Sequence, residues 1–127
     1  MMPDLEKVIE YYKEGSKLGE HNCQNSLACY YMRGEGVAEN REEAFKLFKK
    51  AALQGNKLAE FSLCKCYENG HGTDVDIEKA IEWGEKAAVG ASADVQFEVG
   101  ILYTYPDDSG EMINEERAYY WLSQAAM

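Results

Sequence analysis

The side chains best suited to chemistry in this sequence are four cysteines, Cys23, Cys29, Cys64 and Cys66, and two histidines, His21 and His71. Thiolate and imidazole are common zinc ligands and supply the nucleophile and base of covalent catalysis. Cys64-x-Cys66 with His71 is the group that most suggests a metal site. Residues two apart on a helix point about 200° away from each other, so a single ion does not readily take both thiolates. Neither histidine has a Ser, Cys or Asp at a recurring catalytic spacing, and such triads are set by geometry rather than by chain order. Gly34-Glu35-Gly36 and Gly70-His71-Gly72 lack the Lys-Ser/Thr of a phosphate loop and follow no strand pattern. Asp74-x-Asp76-x-Glu78 only brushes the pattern of a calcium loop. The residues therefore predict no catalytic group, no metal and no cofactor.

The elements that carry these residues follow from a period of about 36 residues. Ala51-Ala52 returns as Ala87-Ala88 and Ala125-Ala126, and Gly34-x-Gly36 returns as Gly70-x-Gly72. Ala44, Ala80 and Ala118 keep step, as do Gly19, Gly55 and Gly90. Leu27, Leu63 and Val99 form one column of large side chains. Ala28, Cys64 and Gly100 form a column of small ones beside it, and Tyr31, Tyr67 and Tyr103 an aromatic column four residues after the first. Tyr11, Leu47, Trp83 and Trp121 form a fourth, three residues after Val8, Ala44, Ala80 and Ala118. Spacings of three and four put residues on one helical face, and the strict alternation of strands is absent.

Each unit reads as helix A, a glycine-containing loop, helix B and a short turn. The spacing predicts A helices near 21–33, 57–69 and 92–104, and B helices near 40–54, 76–89 and 114–126. A lone B helix over 4–18 precedes them. The chain is thus expected to be a single all-α domain of seven helices, an α/α superhelical solenoid with units over 20–55, 56–90 and 91–127. Extra residues in the third unit fall at Pro106-Asp107-Asp108-Ser109-Gly110, which is turn chemistry. Asn40 and Asp76 stand where N-caps belong, with acidic residues in the first turn behind them.

These columns resemble the Sel-one-like repeat, a relative of the tetratricopeptide repeat. Unit two carries the resemblance through Ala59, Leu63, Tyr67, Gly70, Gly72, Asp76, Ala80, Trp83, Ala87, Ala88 and Gly90. Cys64 stands where that family usually has glycine, Gly84 where it has an aromatic, and unit three lacks the Gly-x-Gly pair. The resemblance implies a right-handed superhelical stack, A helices lining a concave surface, and work as an adaptor, scaffold or inhibitor. It names no partner.

Charge narrows the partner. With 13 basic and 23 acidic residues the formal charge is −10. Nucleic acid and anionic membranes need clustered Lys and Arg, so neither is expected as a partner. An acidic surface steers toward a basic protein. The charge is −1 over residues 1–54, −3 over 55–90 and −6 over 91–127. The stretch Met1 to Lys13 is polar without the apolar core of a signal peptide, which predicts a cytoplasmic protein with free thiols.

Helical spacing places a second set of residues on the A helices beside the packing columns, facing the concave side. They are Asn25, Cys29, Met32 and Arg33 in unit one, Phe61, Lys65, Glu68 and Asn69 in unit two, and Phe97, Ile101, Thr104 and Tyr105 in unit three. Aromatics, Met and Arg are enriched in interface cores, so this is the predicted protein-binding face. The alternative docking surface is the acidic loops, Glu39, Asp74, Asp107, Asp108 and Glu111. The leading expectation is a non-catalytic protein-interaction module, in its sharper form an immunity or inhibitor protein against a basic toxin. The alternatives are an adaptor holding a peptide or enzyme in its groove and, more remotely, an enzyme. An uncapped last helix leaves pairing with a second copy open.

Overall fold

The computed structural model describes residues 4–127, so Met1, Met2 and Pro3 lie outside the described residues. Seven α-helices follow one another: α1 (Leu5–Lys17), α2 (His21–Arg33), α3 (Arg41–Leu53), α4 (Lys57–Asn69), α5 (Ile77–Ala88), α6 (Ala93–Leu102) and α7 (Glu115–Ala126). Among the described residues no strand forms, and the fold is an all-α repeat solenoid. Each helix packs chiefly on its chain neighbours, which is the contact pattern of stacked helix pairs.

Local sequence sets the helix starts. Asn40, Asn56, Asp76 and Asn114 are N-caps in extended conformation, and each side-chain oxygen accepts the backbone N–H three residues on, at 2.9–3.1 Å. Glu42, Glu43, Glu78, Glu115 and Glu116 lie in first turns, where the helix dipole favours negative charge. α6 ends at Leu102, two residues before the expected 104. There Thr104 Oγ1 donates to the Ile101 carbonyl at 2.6 Å, and an isolated antiparallel bridge pairs Pro106 with Met112. Asp107 Oδ1 holds that loop by accepting from the Ser109 and Glu111 backbone N–H groups.

The repeating columns form the core. Leu63 and Val99 are fully buried, Leu27 nearly so, and Ala44, Ala80, Ala28 and Cys64 have at most 1% exposure. Tyr67, Tyr103 and Trp121 are buried beside them, while Tyr31 and Trp83 are half-buried. Tyr11 departs from its column and is 69% exposed, since no described helix covers that face of α1. Gly84 stands where unit one has buried Phe48, and a Cβ there would meet Cys64 Sγ at 3.0 Å and Val99 Cγ2 at 3.1 Å. The missing side chain lets α5 sit directly between α4 and α6.

The Gly-x-Gly loops lock unit to unit. Gly72, at φ +74°, lies so close to the start of α3 that an added Cβ would be 2.1 Å from the Arg41 carbonyl oxygen. Gly36 makes the matching approach to Leu5 on α1. These two loops between helices A and B therefore rest on the B helix before them, and only glycine combines the left-handed backbone with that proximity.

Candidate functional site

The A helices carry the residues singled out from spacing, and the structure gathers part of that set. Cys29, Met32 and Arg33 from the last two turns of α2 face Phe61 and Lys65 of α4 across an open groove of about 250 Å³. Its floor is completed by Phe48 of α3 and Cys66 of α4, and its mouth by Ser62 and His71. Phe61 and Lys65 are four apart and Met32 is three after Cys29, so each pair stacks on one face of its helix. Phe48, Cys66 and His71 did not emerge from the spacing argument. Phe48 belongs to a B helix and His71 to a loop, and only three-dimensional stacking brings either to the A-helix side.

The next gap, between α4 and α6, is closed rather than open. Lys65 Nζ donates to Glu68 Oε1 at 3.1 Å and to Glu98 Oε2 at 3.0 Å. Tyr105 OH donates to Glu68 Oε2 at 3.0 Å. Burial pulls the Lys65 pKa down, but the two carboxylates together outweigh it and hold it above the ordinary lysine value. The hydrogen bond to Glu68, followed by partial burial, pushes the Tyr105 phenol up. Lys65, Glu68 and Tyr105 thus tie unit two to unit three and leave the groove confined to the gap between α2 and α4.

The remaining residues of the set lie elsewhere. Asn25 is half-buried on α2, away from the groove wall, and its Oδ1 has no donor. Asn69 is exposed at the end of α4. Phe97 is half exposed and sits with Leu122, Ala125 and Ala126 of α7 in a separate shallow hollow. Ile101 and Thr104 are half-buried and bonded to each other. Of the acidic loop residues, Glu39 pairs with Arg41 at 3.2 Å, and both share a broad polar hollow with Glu42 and Asp74. Asp107, Asp108 and Glu111 are exposed in the third loop, where the bonds from Ser109 lower the Asp107 pKa.

Two polar clusters were not legible in the sequence. Glu85 on α5 accepts from Tyr103 OH, from Arg117 at 2.8 Å and from Trp121 Nε1 at 3.1 Å. Burial pushes that carboxyl up, but the three donors outweigh it and leave the pKa below the ordinary value. Asn56, besides capping α4, donates to His21 Nδ1 at 3.0 Å and to Asn22 Oδ1 at 3.2 Å at the start of α2. Glu60 is 5% exposed with Oε1 at 3.1 Å from Lys57 Nζ, yet no donor meets that oxygen in hydrogen-bond geometry.

Cys64 and Cys66 are packing groups. Burial raises Cys64 to about 12 and Cys66 to about 11, far from the thiolate that nucleophilic or metal chemistry needs. Among the described residues no three His, Cys, Asp or Glu side chains stand close enough to hold a metal ion. No helix there is long and apolar enough to cross a membrane.

Comparison with known proteins agrees with the repeat fold. The family model described as Sel1 repeat matches residues 21–56, 57–88 and 93–127. A protective antigen of uropathogenic Escherichia coli displaying an SLR fold is 30% identical at a TM-score of 0.86, over 97% of this chain and 26% of that one. A Sel1 repeat protein from Oxalobacter formigenes is 26% identical at a TM-score of 0.83, over 95% of this chain and 49% of that one. Cysteine rich protein B of Helicobacter pylori is 22% identical at a TM-score of 0.68, over 73% of this chain and 70% of that one, a likeness of fold alone. This chain spans about a quarter of the first and about half of the second. No protein of curated function matches it.

Proposed function

We propose that this chain, which belongs to the Sel1 repeat family, is a cytoplasmic protein-binding module that holds its partner in the groove between α2 and α4. Sel1 repeat proteins are generally protein-interaction modules. One observation carries the assignment of the groove: three side chains of types enriched in interface cores, Met32, Arg33 and Phe61, from two successive A helices, converge around one open apolar hollow. A groove of about 250 Å³ is below the usual ligand-pocket range of roughly 300–1,000 Å³, which favours a side chain of another protein over a cofactor. Four unpaired cysteines suit a reducing compartment.

A photo-crosslinking residue tests the reading. Placed at Ser62 in the groove mouth it should yield a discrete adduct in native cells, and placed at exposed Lys46 on α3 it should not. Equal adducts at both positions, or adducts at Lys46 alone, contradict it.

A second reading is an inhibitor of a basic protein such as a toxin. The formal charge of −10 favours it, as does the polar hollow where Glu39, Glu42 and Asp74 gather. Charge reversal separates the two. Groove binding is weakened more by reversing Arg33 in the groove wall, and loop docking more by reversing Glu39 and Asp74 in the polar hollow.

A further inference from the structure

The groove runs against the charge of the molecule. The chain carries 23 acidic residues to 13 basic, yet the groove wall holds Arg33, Lys65 and His71 and no Asp or Glu. Lys65 is already answered by Glu68 and Glu98. Arg33 meets one carboxylate, through Nε, at Glu35 3.2 Å away across a pair that is about half exposed, and its guanidinium lies 5.5 Å over the Tyr30 ring. A guanidinium has five N–H donors, so most of its fork stays available, and an exposed pair of this kind contributes little that a ligand must displace. His71 adds a ring N–H from the loop that Gly72 presses onto α3. Below these donors lie only Met32, Cys29, Phe48, Phe61 and Cys66.

We infer that the groove takes a segment of another protein in which a bulky apolar side chain stands next to a carboxylate. This rests on the reading of the groove as the binding site and adds the chemistry of its occupant. The apolar side chain enters between Met32 and Phe61, and the carboxylate meets Arg33 and His71 at the mouth. The space, about 250 Å³ and open to solvent, suits one large side chain rather than a whole ligand. The overall charge of −10 repels an occupant with a high negative charge, so one or two carboxylates are selected over a polyanion.

Fluorescence anisotropy of the full chain with labelled short Gly/Ser peptides tests this. The centres are Glu-Trp-Glu, Lys-Trp-Lys and Glu-Ala-Glu. Glu-Trp-Glu should bind about ten-fold or more tightly than either of the others, in line with a charge-assisted hydrogen bond plus aromatic burial. Arg33→Glu should remove that advantage over Lys-Trp-Lys, and His71→Ala should reduce it, with both variants keeping the urea midpoint of the parent. Equal or tighter binding of Lys-Trp-Lys overturns the inference, as does equal binding of Glu-Ala-Glu. So does tighter binding of a labelled oligonucleotide, or a dimer in sedimentation that Phe61→Ala abolishes. If no peptide binds at millimolar concentration, this occupant is wrong, and the Ser62 crosslink still decides separately whether the groove is the site.

Discussion

Replacing Gly72 by alanine separates stacking from simple backbone strain. Gly72 and Gly55 both have positive φ, +74° and +89°. A Cβ at Gly55 meets nothing within 4 Å, whereas at Gly72 it would lie 2.1 Å from the Arg41 carbonyl oxygen and 2.9 Å from Phe45 Cβ. A left-handed alanine costs roughly 1–2 kcal/mol, offset by roughly 0.4–1 kcal/mol from the stiffer unfolded chain. Gly55→Ala should therefore lose about 1 kcal/mol. Gly72→Ala adds an overpacking penalty of about 1–3 kcal/mol, because the obstacle is backbone rather than the far end of a side chain. The expected total is about 2–4 kcal/mol, with movement of the loop that carries His71. Urea denaturation followed by far-UV circular dichroism reads the difference as a shift in midpoint at constant slope. Equal losses for the two variants would refute the packing of the Gly70–Gly72 loop on α3, and with it the unit-to-unit geometry that builds the groove.

Other expectations follow from the same contacts. Asn56→Ala removes an N-cap and two bonds to α2, so it should cost more than Asn40→Ala, whose cap is solvent-exposed and worth about 1 kcal/mol; equal midpoints would contradict the clamp. Glu85→Ala leaves Tyr103, Arg117 and Trp121 without their acceptor and should destabilise by about 1–3 kcal/mol. Because the folded-state pKa of Glu85 is depressed, its contribution is present above the ordinary value of 4.5 and lost as pH falls through the folded value. Trp121 fluorescence in a Trp83→Phe background should report acid loosening of α6 and α7 that Glu85→Gln removes. Iodoacetamide at mildly alkaline pH should label half-buried Cys29 first, with Cys64 and Cys66 reacting only through unfolding. Rapid labelling of Cys64 would contradict its place between α4 and α5.

Much of the fold was legible because the columns are redundant. Leu27, Leu63 and Val99 keep their spacing, and misplacing one helix would have broken several columns together. α2 and α4 run over the expected residues, and the N-caps at Asn40 and Asp76 mark starts within one residue. α6 was misjudged at its end because nothing in the period signals that Thr104 turns back onto Ile101.

The site was legible only in part. Cys29, Met32, Arg33, Phe61 and Lys65 share a face by helical spacing, and the structure sets them around one groove. Spacing could not separate that gap from the next, where Lys65, Glu68, Glu98 and Tyr105 cross-link the helices. It placed Phe97 like Phe61, although Phe97 meets α7 while Phe61 meets the groove. Periodicity describes one helix at a time, and which faces of successive helices meet depends on side chains in both.

Hydroxyl-radical footprinting of the chain alone and bound to its natural partner tests the central claim most directly. Partner contact in the groove between α2 and α4 predicts protection of Met32 and Phe61, with Met112 and Tyr119 oxidised as fast as before. Protection of Met112 and the loop around it, with Met32 and Phe61 unchanged, would move the site to the acidic surface and contradict the account.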